Sequence, residues 1–317
     1  GALADWQAEW KWDGIRAQLV RRGGQVYLWS RGEELVTDRF PEIAAEAARL
    51  PDGLVLDGEI LAWSRESDDD PIGVQPFGVL QTRIGRTKLT PKLLASTPVR
   101  FLVYDLLEQD GTDLRALPLS ERRARLEALL AERPPPIVLA GTVPAADWES
   151  LARLREESRG RRVEGLMLKS RAAPYGTGRQ RGAWWKWKIE PFTFDGVLVY
   201  AQPGHGRRSN LYTDYTFAVW RGEELVPVAK AYSGLTDAEI LEVDRWIRRH
   251  TKERFGPVRS VEPVHVFELA FEGINRSTRH KSGIALRFPR IARWRHDKPA
   301  READTLEALE RLIGDAR

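Results

Sequence analysis

Apolar and polar positions alternate through the first part of the chain in the manner of short strands. Ile15-Arg16-Ala17-Gln18-Leu19 switches face at every residue, Gly23-Gly24 supplies the backbone freedom of a tight hairpin, and Val26 to Trp29 runs back. Leu54-Val55-Leu56 and Phe101-Leu102-Val103-Tyr104 are apolar runs bounded by polar residues, as in buried strands, and carboxylates follow both directly. A helix is expected from Pro41 to Leu50, with proline in its first turn. Amphipathic helices are expected over Ser120 to Leu130 and Asp147 to Glu157, with Ser120 and Asp147 as N-caps and Gly160 ending the second. Gly165-Leu166-Met167-Leu168 reads as a further strand, and Pro134-Pro135-Pro136 as an exposed connection.

After Trp184-Trp185-Lys186-Trp187-Lys188 the chain passes Pro191 and the pattern changes to strands with a single strong helix. That helix is expected from Thr236 to about Arg254, because Thr236 and Glu239 have capping-box spacing and Gly256 can stop it. Strands over Val197 to Tyr200, Thr216 to Trp220, Val226 to Ala231 and Val264 to Phe271 would make a small barrel of about five strands with one helix inserted, the OB-fold arrangement. The domain boundary is therefore placed near residue 191, giving domains 1–191 and 192–317.

Length agrees with two domains, since 317 residues exceed what one ordinary core holds. With 42% hydrophobic and 30% charged residues, and no apolar run near the roughly 18 residues of a membrane span, a soluble globular protein is expected. The absence of cysteine removes disulfides, thiolate nucleophiles and cysteine-ligated zinc. No signal-like segment opens the chain, so a cytoplasmic location is expected. Net charge is only +4, but 50 basic side chains suit a polyanionic partner if they gather on one face. The 12 tryptophans can stack on bases or fill a core.

Candidate chemistry is densest near the start, where Glu9, Lys11, Asp13, Gly14 and Arg16 spell Glu-x-Lys-x-Asp-Gly-x-Arg. A lysine amine is a nucleophile only when deprotonated, which needs nearby positive charge or a metal, and Asp13-Gly14 can supply the turn that aims it. Lys186 and Lys188 are two apart on an expected strand and so share a face, with their tryptophan neighbours on the opposite, packed face.

These residues resemble the first motif of the covalent nucleotidyltransferase superfamily of DNA ligases, RNA ligases and capping enzymes, Lys-x-Asp-Gly-x-Arg. The resemblance continues in order. Ser30-Arg31-Gly32 is similar to the motif after the hairpin, Asp57-Gly58-Glu59 to the third, and Phe101 to Asp105 to the aromatic strand that ends in an aromatic-Asp pair. Glu164-Gly165-Leu166-Met167-Leu168-Lys169 resembles the fourth motif and Trp185-Lys186-Trp187-Lys188 the fifth. Leu286-Arg287-Phe288-Pro289-Arg290, followed by Arg295-His296-Asp297-Lys298, resembles the last, on the barrel domain.

By that resemblance the fold is α+β, a nucleotidyltransferase (adenylation) domain of antiparallel sheets with helices followed by an OB-fold barrel. The activity implied is ATP-dependent DNA ligation through a lysyl-AMP on Lys11, with Mg2+ as cofactor (Mn2+ as a substitute) and nicked duplex DNA as partner. Asp13, Lys186 and Lys188 would join Lys11 as catalytic residues, with Glu59 and Glu164 as metal ligands. ATP would be held by Glu9, Trp10, Glu59 and Lys169, by Arg16 and Arg31 unless these touch the nick 5′-phosphate instead, by Tyr104 or Phe101 stacked on adenine unless both are core, and by Arg295 and Lys298 on the β and γ phosphates. The NAD-dependent branch, which carries a cysteine-rich zinc element, is disfavoured by the lack of cysteine. An RNA ligase, a capping-type guanylyltransferase and a non-catalytic nick-binding module are the rival readings; the barrel domain with its closing motif argues against the first two, and the intact set of Lys11, Glu59, Glu164, Lys186 and Lys188 against the third. Lys11 lies only ten residues from the start, so the sequence is expected to be a core fragment of a larger bacterial ligase, with an upstream DNA-binding domain outside it, although a naturally minimal enzyme fits too; a monomer is expected.

Overall fold

The alternating stretch after Lys11 is a strand, and its hairpin organises the first part of the molecule. The computed structural model describes residues 1–64, 73–86, 88–178 and 181–315, and the chain divides into two units, Gly1–Ile189 and Glu190–Arg317. In the first unit β1 (Trp6–Trp10) precedes β2 (Ile15–Arg22), which turns into β3 (Gln25–Ser30). Gly23 and Gly24 have φ of +58° and +75°, the left-handed turn that glycine permits. Their amides donate to the Asp52 carboxylate at 2.9 and 3.0 Å, which pins the tip. There follow α1 (Pro41–Ala47), shorter than the Pro41–Leu50 expectation, β4 (Leu54–Ala62), α2 (Phe77–Ile84), α3 (Pro91–Ser96), β5 (Val99–Gln109) and β6 (Thr112–Asp113). The unit closes with α4 (Leu119–Leu130), β7 (Ile137–Leu139), α5 (Trp148–Glu156), β8 (Gly165–Ser170) and β9 (Trp184–Lys188).

Among the described residues one sheet runs β3-β2-β4-β5-β6, antiparallel, with β7 added parallel to β5, and a second runs β1-β8-β9. Strand register sends Ala17, Leu19, Leu56 and Phe101 to one face of the larger sheet, where they bury against α1 and α4. Arg16, Gln18, Asp57 and Glu59 occupy the opposite face. Inside the unit Asp105 and Arg122, both fully buried, form a two-pronged pair (2.7 and 3.0 Å) that ties β5 to α4.

Two helix ends differ from expectation. Ser120 is not an N-cap, because α4 already starts at Leu119. Its first amides, of Leu119 and Ser120, donate instead to the carbonyls of Ala173 and Arg171, so no side-chain cap is required. Asp147 does cap α5, in a reciprocal box with Ser150.

In the second unit β10 (Phe192–Pro203), β11 (Tyr212–Arg221) and β12 (Glu224–Ala231) form a meander, followed by α6 (Asp237–Arg249), which Thr236 and Glu239 cap as the spacing predicts. The helix stops well before Arg254. Thr251–Phe255 is β13 and pairs with β14 (Val258–Val261), and Gly256, at φ +59°, turns this hairpin instead of ending the helix. The β-branched and aromatic ends of the segment favour a strand once a turn and a partner are available. Then come β15 (Val266–Phe271), β16 (Gly273–Arg276), β17 (Ile284–Arg287), β18 (Arg290–Arg295) and α7 (Leu306–Asp315). Strands β12-β11-β10-β15-β18 make the curled path of the barrel, and the Ile291 amide donates to the Ser233 carbonyl just beyond β12 at 2.9 Å. The β13–β14 and β16–β17 hairpins extend beyond the simple barrel the sequence suggested. Phe194, Leu198, Phe217 and Phe267 fill the interior with Val243 and Ile247 of α6 and Leu309 of α7, each large apolar side chain contributing about 1.5–3 kcal/mol by its burial. No helix among the described residues is long and apolar enough to cross a membrane.

Candidate active site

Lys11 follows the end of β1 and is clamped to the start of β8, because its amide donates to the Gly165 carbonyl (2.8 Å) and its carbonyl accepts from the Glu164 amide (2.9 Å). Its ammonium meets Glu164 at 2.5 Å, and Lys188 reaches the same carboxylate at 3.3 Å. Burial would lift the Glu164 carboxyl, but Lys11 and Lys188 outweigh it and hold it below the usual range. Gly14 passes so close to β4 that a Cβ would fall 2.2 Å from the Ile60 carbonyl. The Asp13-Gly14 turn therefore requires glycine for close approach, and Gly14 N–H donates to Glu59 at 3.1 Å. Burial pushes the Glu59 carboxyl up to about 7, against the opposing pull of Lys11 and of that amide. Lys186 is pushed below the usual lysine range, first by burial and then by Lys11, Arg31 and Lys188, so several cations crowd one corner.

That corner opens into a cavity of about 520 Å3, within the size range of small-molecule sites. Cations (Lys11, Arg16, Arg31, Lys186) and aromatic rings (Trp10, Trp12, Tyr104, Trp184) line it together with Glu9, Asp13, Glu59 and Lys169. At one end the buried Lys169 ammonium donates to Glu9 at 2.7 Å and lies 4.1 Å from the Tyr104 ring centre and 4.4 Å from that of Trp184. Gln7 donates to the other Glu9 oxygen at 2.6 Å. Beside it the fully buried Asp57 accepts the Arg16 fork (3.1 and 2.6 Å), the Tyr104 hydroxyl (3.2 Å) and the Tyr175 hydroxyl (2.7 Å). This bidentate grip fixes the Arg16 guanidinium plane.

The structure thus brings Glu9, Trp10, Lys11, Asp13, Arg16, Arg31, Glu59, Tyr104, Lys169 and Lys186 to one cavity, with Glu164 and Lys188 joined to it through Lys11. Phe101 does not reach the site: it is fully buried on the far face of the sheet, beneath Gly58, where its ring leaves no space for a Cβ. Strand alternation sends its side chain into the core. Trp185 also departs from expectation, being 53% exposed, whereas Trp187 packs against the core under Arg155. Trp185 lies opposite Leu168 on β9, an edge strand, so among the described residues no strand flanks its outer side. Arg295 and Lys298 belong to the second unit, where both hold Asp195, at 2.9 and 2.7 Å, and Arg295 also forks onto Asp297.

Asp57, Tyr175, Trp12 and Trp184 were not singled out as site residues from sequence. Asp57 stood inside the Asp-Gly-Glu motif and Trp184 just ahead of the Trp-Lys-Trp-Lys run, so signals existed for both. Tyr175 lies in an aperiodic loop and had none.

The chain belongs to the ATP-dependent DNA ligase family. The family model described as the ATP dependent DNA ligase domain matches residues 2–188, and that of the ATP dependent DNA ligase C terminal region matches residues 208–298. A probable DNA ligase of Koribacter versatilis (strain Ellin345) is 40% identical over 95% of this chain and 55% of its own length. A probable DNA ligase of Opitutus terrae is 42% identical over 99% of this chain and 33% of its length. The chain spans about half the length of such curated relatives, or less. Among solved structures, the ligase domain of LigD from M. tuberculosis is similar at 25% identity and a TM-score of 0.50, covering 95% of this chain and 93% of that one. A Lig E DNA ligase shares the fold at 19% identity and a TM-score of 0.63, over 93% of this chain and 94% of that one.

Proposed function

We propose that this chain is the catalytic core of an ATP-dependent DNA ligase that seals 5′-phosphate/3′-hydroxyl nicks in duplex DNA. The observation that carries this reading is Lys11, held by backbone and side chain beside Glu164 at the mouth of a cavity that pairs aromatic rings with a crowd of cations. A cavity so lined suits a purine nucleotide, with rings for the base and cations for the phosphates.

In the first step the Lys11 amine, having lost its proton, attacks the α-phosphorus of ATP. The N–P bond forms as the bond to the bridging oxygen breaks, and the electron pair leaves on pyrophosphate. Lys186, Lys188 and Arg31 stabilise the charge gathered on the phosphoryl oxygens, and Asp13-Gly14 aims the nucleophile. Glu9, Lys169 and Tyr104 form the base end of the cavity beside Trp10, and Asp57 presents Arg16 as a fixed fork. Arg295 and Lys298 would exchange Asp195 for the β and γ phosphates, since a phosphate offers the same ionic partner.

The residues present fit Mg2+. Glu164 meets Lys11 and Glu59 feels its charge, and Mg2+ is satisfied by a few carboxylates with water and phosphate oxygens. When bound, Mg2+ would supply charge neutralisation at the phosphoryl oxygens. In the later steps a nick 5′-phosphate oxygen displaces Lys11 from the AMP phosphorus, and the 3′-hydroxyl then displaces AMP. We assign 1–191 as the adenylation domain and 192–317 as the OB-fold domain. Sealing assays with nicked DNA, gapped DNA and nicked RNA duplexes test the acceptor. Joining confined to nicked DNA is expected, and joining of RNA alone would overturn the reading.

A further inference from the structure

The solvent face of the β3 edge strand carries an unexplained stripe. Tyr27 and Trp29 are 40% and 42% exposed, and Arg31 follows just past the end of β3, where its amide donates to the Arg16 carbonyl at 3.1 Å. Arg31 lines the cavity and has no side-chain hydrogen bond or ion pair among the described residues. Cross-strand pairing sets Gln18 beside Trp29 and Val20 beside Tyr27, and Gln18 continues the surface to the Tyr175 hydroxyl and Arg16. Two large rings thus lead in single file out of the cavity from an unpaired cation. Rings and cations arranged together are the means by which proteins track a nucleic-acid strand that lacks a stacked neighbour, and at a nick the strand end is free on one side.

We propose that Tyr27 and Trp29 form a track for the acceptor strand whose terminal 5′-phosphate enters the cavity at Arg31. This rests on the ligase reading and extends it to named contacts outside the cavity. The rings would lie against the deoxyribose of that strand. Side chains two residues apart on a strand are about 6.6 Å apart, roughly two base-pair rises at about 3.4 Å each. Trp29 therefore meets the strand within the first few nucleotides of the terminal phosphate, and Tyr27 farther along it. Charge complementarity selects this occupant, because the stripe ends on Arg31 and the cation-crowded corner around Lys11 and Lys186, where a phosphate is required.

The test replaces Trp29 with the photocrosslinking residue p-benzoylphenylalanine in the adenylated protein and irradiates it with nicked duplex DNA labelled in one strand at a time. Crosslinks within the first few nucleotides of the 5′-phosphate strand are expected. Crosslinks confined to another strand, or none, would overturn the track, and the latter would leave the stripe to a protein partner. In parallel, Tyr27→Thr/Trp29→Thr should raise KM for nicked DNA about tenfold or more while ATP labelling of Lys11 stays within about twofold. An unchanged KM with intact labelling overturns the track alone. Absent labelling in the wild-type protein would instead sink the ligase reading. If the double variant does not fold, the crosslink decides.

Discussion

Lys11 and Glu164 are joined twice, through the Glu164 amide that donates to the Lys11 carbonyl at 2.9 Å and through their side chains at 2.5 Å. The backbone bond fixes where the lysine leaves β1, and the carboxylate fixes where its amine points. Glu164→Ala keeps the first and removes the second. The rate of Lys11 adenylation should fall about a hundredfold, the scale of a small misplacement of a reacting group, with the melting temperature little changed. A loss under threefold in single-turnover labelling would show that Glu164 does not orient the lysine.

Glu59 gives a pH dependence of stability. Its folded value of about 7 lies above the ordinary 4.5, because burial favours the neutral acid. The contribution to stability is complete below about 4.5 and is lost as pH rises through about 7. Wild-type protein should therefore lose more thermal stability between pH 5 and pH 8 than Glu59→Gln, which cannot ionise there. Parallel melting curves across that range would contradict the assignment.

The Asp105–Arg122 pair, fully buried on both sides, should be costly to break from one end. Asp105→Ala leaves an uncompensated guanidinium and should destabilise the first unit by about 3–5 kcal/mol, measured by urea unfolding. A cost below about 1 kcal/mol would mean that water reaches Arg122.

Phe101 and Tyr104 should separate cleanly. Phe101→Leu should lower the melting temperature and leave KM for ATP unchanged, since its ring never reaches the cavity. Tyr104→Ala should raise KM for ATP about tenfold through loss of ring contact. Equal effects on KM would refute the separation.

The same pair shows what the sequence could convey. Both residues stand in one apolar run, and periodicity could not say which faces the cavity, because β5 is largely buried on both faces and carries a register shift where it pairs with β4. The clustering of Lys11 with Glu59 and Glu164 was legible, because close approach and charge demand particular residues at fixed spacing, as Gly14 against Ile60 illustrates. Tyr175 was not legible, since it reaches Asp57 from a loop whose course no local pattern reveals. The end of α6 was misplaced for a related reason: Thr251–Phe255 has a strand partner in β14 that only the fold supplies.

In the proposed reaction Lys11 carries AMP. The most direct measurement incubates the protein with α-labelled ATP and Mg2+, after pyrophosphate treatment to remove any AMP already bound, and separates it on a denaturing gel beside Lys11→Ala. Label that stays with the wild-type band, is absent from Lys11→Ala and moves to the 5′ end of nicked DNA on addition is the result expected. No label on the treated wild-type protein, or equal label on Lys11→Ala, would contradict it.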